Sequence, residues 1–202
     1  MNSENPFDQG YYITEQLREM GFKYVGDNVQ IAKNCTIIGL ENISLGDNTR
    51  IDGGVTLSCS SGYLTIGSFI HIGAGCHLAC AGGVELSDFS GLSQGVRIYS
   101  SSDDYSGQYL TNPTIPKKYL NVKLEPVLIG RHVIIGSGTV VLPGVTIGTG
   151  SSVGALSLIT KSLGEWGVYL GSPPKRVKTR KMDLLTQEKS LLDERLVPLP
   201  KF

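Results

Sequence analysis

An aliphatic residue recurs at every sixth position over most of this chain, and Ile129, Ile135, Val141, Ile147, Val153 and Ile159 keep the interval without a slip. A helix needs a period of about 3.6 and a strand a period of about 2, so this beat belongs to neither. It describes a short flat side that points one residue inward and then turns a corner. Three such sides close a triangular coil. The same beat runs back through Val25, Ile31 and Ile37, then Leu45, Ile51 and Leu57, then Ile66, Ile72 and Leu78, then Leu86, Leu92 and Ile98, which makes six coils. The fold class that follows is an all-β solenoid. Its coils are expected to stack at about 4.8 Å, the ordinary spacing between paired strands.

Neighbouring positions fit that reading. Gly67, Gly73, Gly130, Gly136, Gly148 and Gly154 each follow an inward aliphatic, where the chain turns and a side chain would crowd the corner. Two residues ahead of an aliphatic stands a small or β-branched residue, as at Val29, Cys35, Val55, Cys76, Val96, Thr139, Val145 and Ser151, which completes a thin core layer.

The interruptions are equally informative. Ile37 to Leu45 is eight residues, Leu57 to Ile66 nine, Leu78 to Leu86 eight and Ile98 to Ile129 thirty-one, so all extra chain leaves one corner, after a third side. The longest excursion, residues 99–126, is rich in Ser, Asp, Tyr, Asn, Pro and Lys. A loop of that length and polarity is the leading site candidate, against the plainer reading of a surface flap.

The ends differ from the middle. Residues 1–24 are expected to form an N-terminal cap, with a short helix over Ile13–Met20 ahead of Gly21, because a solenoid leaves an unpaired edge at each end. Residues 25–163 form the solenoid, and 164–202 hold a turn-rich stretch, the basic run KRVKTRK and a helix over Met182–Arg195. With 18 basic and 18 acidic residues among 202, no global field favours nucleic acid or a membrane surface. No apolar run is long enough to span a membrane, and the first ten residues lack the charged and apolar regions of a leader, so a cytoplasmic location is expected. Cys35, Cys59, Cys76 and Cys80 are read as reduced and structural, with Cys35 and Cys76 at small inward positions.

The hexads of 25–163, the run IGSGTVVLPGVTIGTGSSVGALSLITKS and the GSPPKRV that follows closely resemble the left-handed β-helix acyltransferases, in particular the bacterial sugar acetyltransferases that include the galactoside and maltose enzymes. The hexad part of the resemblance covers about two thirds of the chain. It implies a left-handed parallel β-helix, a homotrimer with active sites between subunits, and acyl-CoA, such as acetyl-CoA, lying along the C-terminal coils. By the same resemblance the CoA-contacting residues are Ser137, the small corner of Gly154 and Ala155, the pair Thr160 and Lys161, and the cations Lys175, Arg176 and Lys178 beside the nucleotide phosphates. A flexible thioester cofactor needs an extended groove and cations for its phosphates, so this set is chemically reasonable. The competing reading of the basic run is a solvated tail.

One departure bears on the reaction. The hydroxyl-acetylating relatives carry a histidine at the start of the long loop, in a Gly-His-Pro context, and here the segment reads YSSSDDYSGQYLTNP, with Asp103 in the histidine's place and Asp104 beside it. A sugar hydroxyl wants a base with a pKa near 7, which an ordinary carboxylate does not supply. An amine attacks as its free base and needs a carboxylate only to orient it and receive a proton. The departure favours an amine acceptor, with Asp103 and Asp104 as its partners.

Three histidines keep a hydroxyl acceptor open. His71, between Ile70 and Ile72, points outward near the Gly73 corner and is the best placed; His77 points outward over Thr56 and under Arg97; His132 stands at a corner expected to be exposed. The same architecture supports zinc carbonic anhydrases, but a zinc site needs converging ligands and these histidines lie on different faces, so no metal is expected. A noncatalytic scaffold has no use for the polar loop and the Pro-Lys-Arg turn. The sequence therefore reads as an acyl-CoA-dependent sugar acyltransferase acting on the amine of a nucleotide-linked deoxyamino sugar for bacterial surface polysaccharide. Tyr105, Tyr109 and Tyr119 are candidates to pack on sugar or base, and Lys117, Lys118 and Lys123 to meet a diphosphate. The alternative is an O-acetyltransferase on a sugar or glycan hydroxyl that uses His71 or His77.

Overall fold

The computed structural model describes residues 7–196, with side chains described to residue 194. Residues 1–6 of the expected cap and 197–202 of the expected C-terminal segment lie outside the described residues, as does the side chain of Arg195.

The chain winds into a parallel β-solenoid of three sheets, of nine, six and six strands, with a separate two-stranded ribbon. Each sheet collects one side of the triangle. Val25, Leu45, Ile66, Leu86, Ile129 and Ile147 fall on the first side, where Leu45 pairs with Val25 and Ile66, and Leu86 with Ile66 and Ile129. Ile31, Ile51, Ile72, Leu92, Ile135 and Val153 stack on the second, and Ile37, Leu57, Leu78, Ile98, Val141 and Ile159 on the third. These aliphatics fill the axis: all but Ile37 are buried, and Ile37 packs against the core from the first, half-open coil. The small second layer is where the pattern puts it, with Val29, Val55, Cys76, Val96, Thr139, Val145 and Ser151 buried and Cys35 half-buried.

Glycines after the aliphatics are sterically required. A Cβ on Gly73 would come within 2.9 Å of the Gln94 backbone nitrogen, and one on Gly148 within 2.7 Å of the Glu165 nitrogen. Consecutive coils approach through backbone alone at these corners, so any side chain must push the stack apart.

The solenoid continues past its legible beat. Leu163 bridges to Ile147, and the strand Gly167–Leu170 extends the second-side sheet with Tyr169 buried beside Val153. Leu163 comes only four positions after Ile159, so a shortened corner hides a seventh, partial coil from a search for sixes. The basic run, not expected from sequence to be a strand, is one: Lys175–Thr179 folds back antiparallel on Gly167–Leu170 and closes that edge of the sheet.

At the other end, the strand Tyr11–Ile13 pairs antiparallel with Gln30–Ala32, and helix α1 (Thr14–Arg18) follows. Leu17 is the residue of α1 that plugs the first coil, at 1% exposure. The expected cap is thus a helix plus an unanticipated strand that covers the sheet edge. Helix α2 (Leu184–Leu196) returns across the corner between first and second sides.

Candidate active site

All four insertions leave the corner after the third side, and residues 99–126 form a stalked loop there. Ser101–Ser102 pairs antiparallel with Lys123–Leu124, and Leu110 bridges to Leu120 farther out. The base of the loop encloses a cavity of about 700 Å³ lined by Tyr99, Ser101, Ser102, Asp103, Tyr105, Val122, Leu142 and Pro143. Polar groups over an apolar floor are the ordinary make-up of a small-molecule site.

The two loop aspartates diverge. Asp103 lines this cavity. Asp104 turns into its own loop, where Ser106 Oγ donates to both carboxylate oxygens at 2.9 Å and the N–H groups of Gly107, Gln108 and Tyr109 donate to Oδ2 at 3.0, 3.2 and 3.3 Å. The Ser106 hydroxyl and these backbone donors hold the Asp104 carboxyl below the usual carboxylate range. The geometry gives Asp104 a loop-ordering part. Tyr105, at 93% exposure, lines the cavity, while Tyr109 and Tyr119 are exposed on the outer loop. Lys123 pairs with Glu125 at 2.8 Å and Lys118 sits 4.8 Å from the Tyr119 ring centre.

At the opposite end of the third side lies a second row of site candidates. The position just after the second-side aliphatic is occupied, coil by coil, by Ala32, Asp52, Gly73, Ser93, Gly136 and Gly154. Ser137 and Ala155 follow the last two, and Ser137 Oγ donates to Gln94 Oε1 at 3.3 Å. Leu156, beside Ala155, is 78% exposed at a left-handed φ of 57°. Thr160 and Lys161 are exposed at the loop-bearing corner instead. One chain therefore splits the expected CoA set between two corners. Lys175, Arg176 and Lys178 form a third group on the terminal edge strand, all exposed, with Arg176 donating to the Trp166 carbonyl at 3.3 Å.

His71 stands on the second side as expected, but it has a partner that sequence spacing did not reveal. Its Nε2 lies 2.8 Å from Asp52 Oδ2. Arg50 Nε donates to Asp52 Oδ1 at 2.8 Å, the Tyr11 hydroxyl donates to the same oxygen at 3.1 Å, and Arg50 also donates to the Tyr11 hydroxyl. Partial burial pushes the Asp52 carboxyl up, yet the hydrogen bonds from His71, Arg50 and Tyr11 outweigh it and leave the group below its ordinary value. His77 sits between Thr56 and Arg97 as its register requires, with its ring 5.6 Å from that of Tyr99.

His132 departs from expectation. The sequence placed it at an exposed corner, whereas it is 7% exposed, stacks on Phe89 at 5.2 Å, and holds Nε2 2.7 Å from Glu188 Oε2 of α2. The reason is α2 itself, which crosses this corner and also brings Glu188 to Arg131. Arg131 in turn pairs with Asp88 at 2.7 Å, and Arg180 donates to the carbonyls of His132, Gly150 and Ser151. The three histidines thus lie on the second side, the third side and the first-to-second corner. Among the described residues no group of three His, Cys, Asp or Glu side chains gathers as a ligand set.

Two family descriptions match the sequence: "Bacterial transferase hexapeptide (six repeats)" over residues 126–161 and "Hexapeptide repeat of succinyl-transferase" over residues 24–59. The chain is 42% identical over 178 residues to the dTDP-4-amino-4,6-dideoxy-D-glucose acyltransferase of Escherichia coli, covering 88% of this chain and 93% of that protein. Its fold superposes on AntD, an N-acyltransferase from Bacillus cereus solved with dTDP and 3-hydroxybutyryl-CoA, with a TM-score of 0.88 and 39% identity over 94% of this chain and 100% of the other. AntD has also been solved with an aspartate replaced, or with the serine ten residues before it replaced, the latter bound to dTDP-4-amino-4,6-dideoxyglucose and coenzyme A. A maltose O-acetyltransferase from Clostridium difficile 630 shares the fold at a TM-score of 0.55 and 23% identity, over 83% of this chain and 74% of that one.

Proposed function

Because this chain belongs to the hexapeptide-repeat acyltransferases, we propose that it transfers an acyl group from acyl-CoA to the amine of a nucleotide-linked deoxyamino sugar. The observation that carries the reading is the spacing of Ser93 and Asp103. They are the one Ser–Asp pair in this sequence ten residues apart in that order, matching the spacing of the two residues replaced in AntD. Asp103 lines the loop cavity, and Ser93 stands in the corner row between Gly73 and Gly136.

The chemistry follows from those groups. The neutral amine attacks the thioester carbonyl, a C–N bond forms, the C–S bond breaks, and the CoA thiolate leaves. Asp103 accepts a hydrogen bond from the amine, points its lone pair toward the carbonyl, and eases removal of the proton that the leaving thiolate finally takes up. The Ser93 hydroxyl serves the same nitrogen or the oxyanion. Backbone N–H donors at the glycine corners are suited to the tetrahedral oxyanion, a donor type whose loss costs about 2.7–4 kcal/mol. Such a reaction makes little demand for an imidazole base, which fits the aspartates where a histidine would serve a hydroxyl.

Ser93 and Asp103 stand at opposite ends of the third side of one chain. We place the working site between copies, with the loop corner of one subunit against the glycine corner of the next in a homotrimer. That arrangement also joins Thr160 and Lys161 of one subunit to Ser137, Gly154 and Ala155 of its neighbour along one CoA groove, with Lys175, Arg176 and Lys178 at the phosphate end. A second reading has one supporting observation. The Asp52–His71 hydrogen bond has the form of an oriented base, which suits a hydroxyl acceptor. The two separate on the product: mixing the protein with acetyl-CoA and dTDP-4-amino-4,6-dideoxyglucose should release CoA and give a hydroxylamine-resistant amide, whereas the second reading gives a labile ester on a sugar lacking the amine.

A further inference from the structure

The outward face of the third side carries a fixed charge at one place. Its strands stack Thr36, Thr56, His77, Arg97, Val140 and Leu158 in one outward column. None of the six strands of that sheet contains an Asp or Glu, and Arg97 is the one Lys or Arg in them. Arg97 is exposed, and among the described residues its guanidinium has neither a hydrogen-bond acceptor nor an ion-pair partner. In a single chain water satisfies it. In an assembly that covers this face, it needs a counter-charge.

The trimer proposed above fixes what that face meets. Its contacts join the corner after the third side of one subunit to the corner after the second side of the next. Those corners are the two ends of the third side, so in a closed ring of three every third side faces the symmetry axis. A side of six residues is at most about 20 Å long and a ligand held between corners adds several Å, which puts the axis about 6–8 Å from each backbone. A guanidinium reaches about 6–7 Å from its Cα, so three Arg97 side chains meet there. Val140 and Leu158 flank this ring of charge on one side, and His77 and Thr56, which carry hydrogen-bonding groups, on the other. Three guanidiniums only about 4.8 Å from three imidazoles exclude a metal cation and call for an anion.

We propose that the trimer holds a tetrahedral oxyanion, inorganic phosphate or sulfate, on its axis between the three Arg97 side chains. Such an ion has a threefold axis of its own. Three of its oxygens each face one guanidinium fork, a pairing that arginine makes and lysine does not, and the fourth lies along the axis. The ion turns three repelling charges into a tie between subunits, so it acts on assembly and only through assembly on the site between subunits. The assignment rests on the trimer of the acyltransferase reading, and the site is incomplete in a single chain.

The test is calorimetric titration of the intact protein with inorganic phosphate in a chloride buffer, with CoA and dTDP at saturation so that their own phosphate sites are filled. It should find one ion per three chains. Arg97→Gln should abolish that binding, and Arg97→Lys, which keeps the charge and loses the fork, should weaken it by about tenfold. Sedimentation across a dilution series in subdenaturing urea gives the second readout. About 10 mM phosphate should keep the parent protein trimeric to about tenfold lower concentration than chloride alone, and should do nothing for Arg97→Gln. Binding of one ion per chain, or binding that survives Arg97→Gln, overturns the site. So does an Arg97→Gln protein that dissociates more readily than the parent in chloride alone, since Arg97 then pairs with a group of the neighbouring chain. A trimer that acylates dTDP-4-amino-4,6-dideoxyglucose but takes up no phosphate refutes the axial site alone; a protein that neither assembles nor acylates takes the acyltransferase reading with it.

Discussion

Asp103 and Asp104 are neighbours of one residue type in one loop, and their surroundings give them different work. Asp104 spends its lone pairs on Ser106 and three backbone N–H groups, which leaves it to hold the turn. Asp103→Asn should lower kcat by about 10²–10⁴, the usual worth of a positioned proton-handling group, with little change in thermal stability. Asp104→Ala should instead raise hydrogen-exchange rates at Gly107, Gln108 and Tyr109 and affect turnover through KM. Steady-state kinetics and exchange mass spectrometry separate the two. Asp52 makes a prediction of opposite kind. Its carboxyl is held below its unfolded value of about 3.9, so its contribution is fully present above about pH 4 and is lost as pH falls through the folded value. Asp52→Asn should therefore cost about 1 kcal/mol at pH 7, the partners being half-exposed, and less at pH 2. Denaturant titration at the two pH values checks it. The sequence showed His71 facing outward but not Asp52, nineteen residues away, because a six-residue beat fixes which way a side chain points and not which outward neighbour carries the complementary group.

At the scale of elements, each coil was legible because a single inward residue per side leaves no freedom in register. Every predicted aliphatic pair from Val25 to Ile159 is realised in the three sheets. The strands outside the six-residue beat escaped, the strand Tyr11–Ile13 and the ribbon at the base of the loop among them. The partial seventh coil is hidden by the four-residue step to Leu163, and the edge strand Lys175–Thr179 by its charge, since an exposed strand with five exposed side chains has no apolar alternation to read. Helix α2 was visible, but its seat on His132 and Arg131 was not, because Glu188 lies 56 residues from His132. Two measurements belong here. Gly148→Ala places a methyl against the Glu165 backbone and should cost about 1–3 kcal/mol by denaturant unfolding, unlike Gly75→Ala, which meets no neighbouring atom and pays only for its left-handed backbone. Replacing Lys175, Arg176 and Lys178 with Gln should raise the KM for acyl-CoA while sparing that for the sugar, with the effect shrinking at high salt. Equal KM values for acyl-CoA would make the strand an edge cover and nothing more.

The whole molecule exposes faces that a single chain has no reason to leave bare. Arg131 is the one Lys, Arg, Asp or Glu between residues 129 and 159, and Ile134, Leu156 and Leu158 stand outward on those coils at 47%, 78% and 38% exposure. Together with the splitting of the expected CoA set between two corners, this accounts for the trimer proposed above. Sedimentation should give about 65 kDa, three times the 21.7 kDa chain, and a bulky residue at Gly136 should weaken assembly and activity together. The central claim is the bond that is made. Purified protein incubated with acetyl-CoA and dTDP-4-amino-4,6-dideoxyglucose should release CoA at a rate that rises with pH as the free amine appears, and mass spectrometry should find one added acetyl group that survives hydroxylamine. An acetyl group removed by hydroxylamine, or CoA release that needs a sugar hydroxyl and ignores the amine, would contradict it.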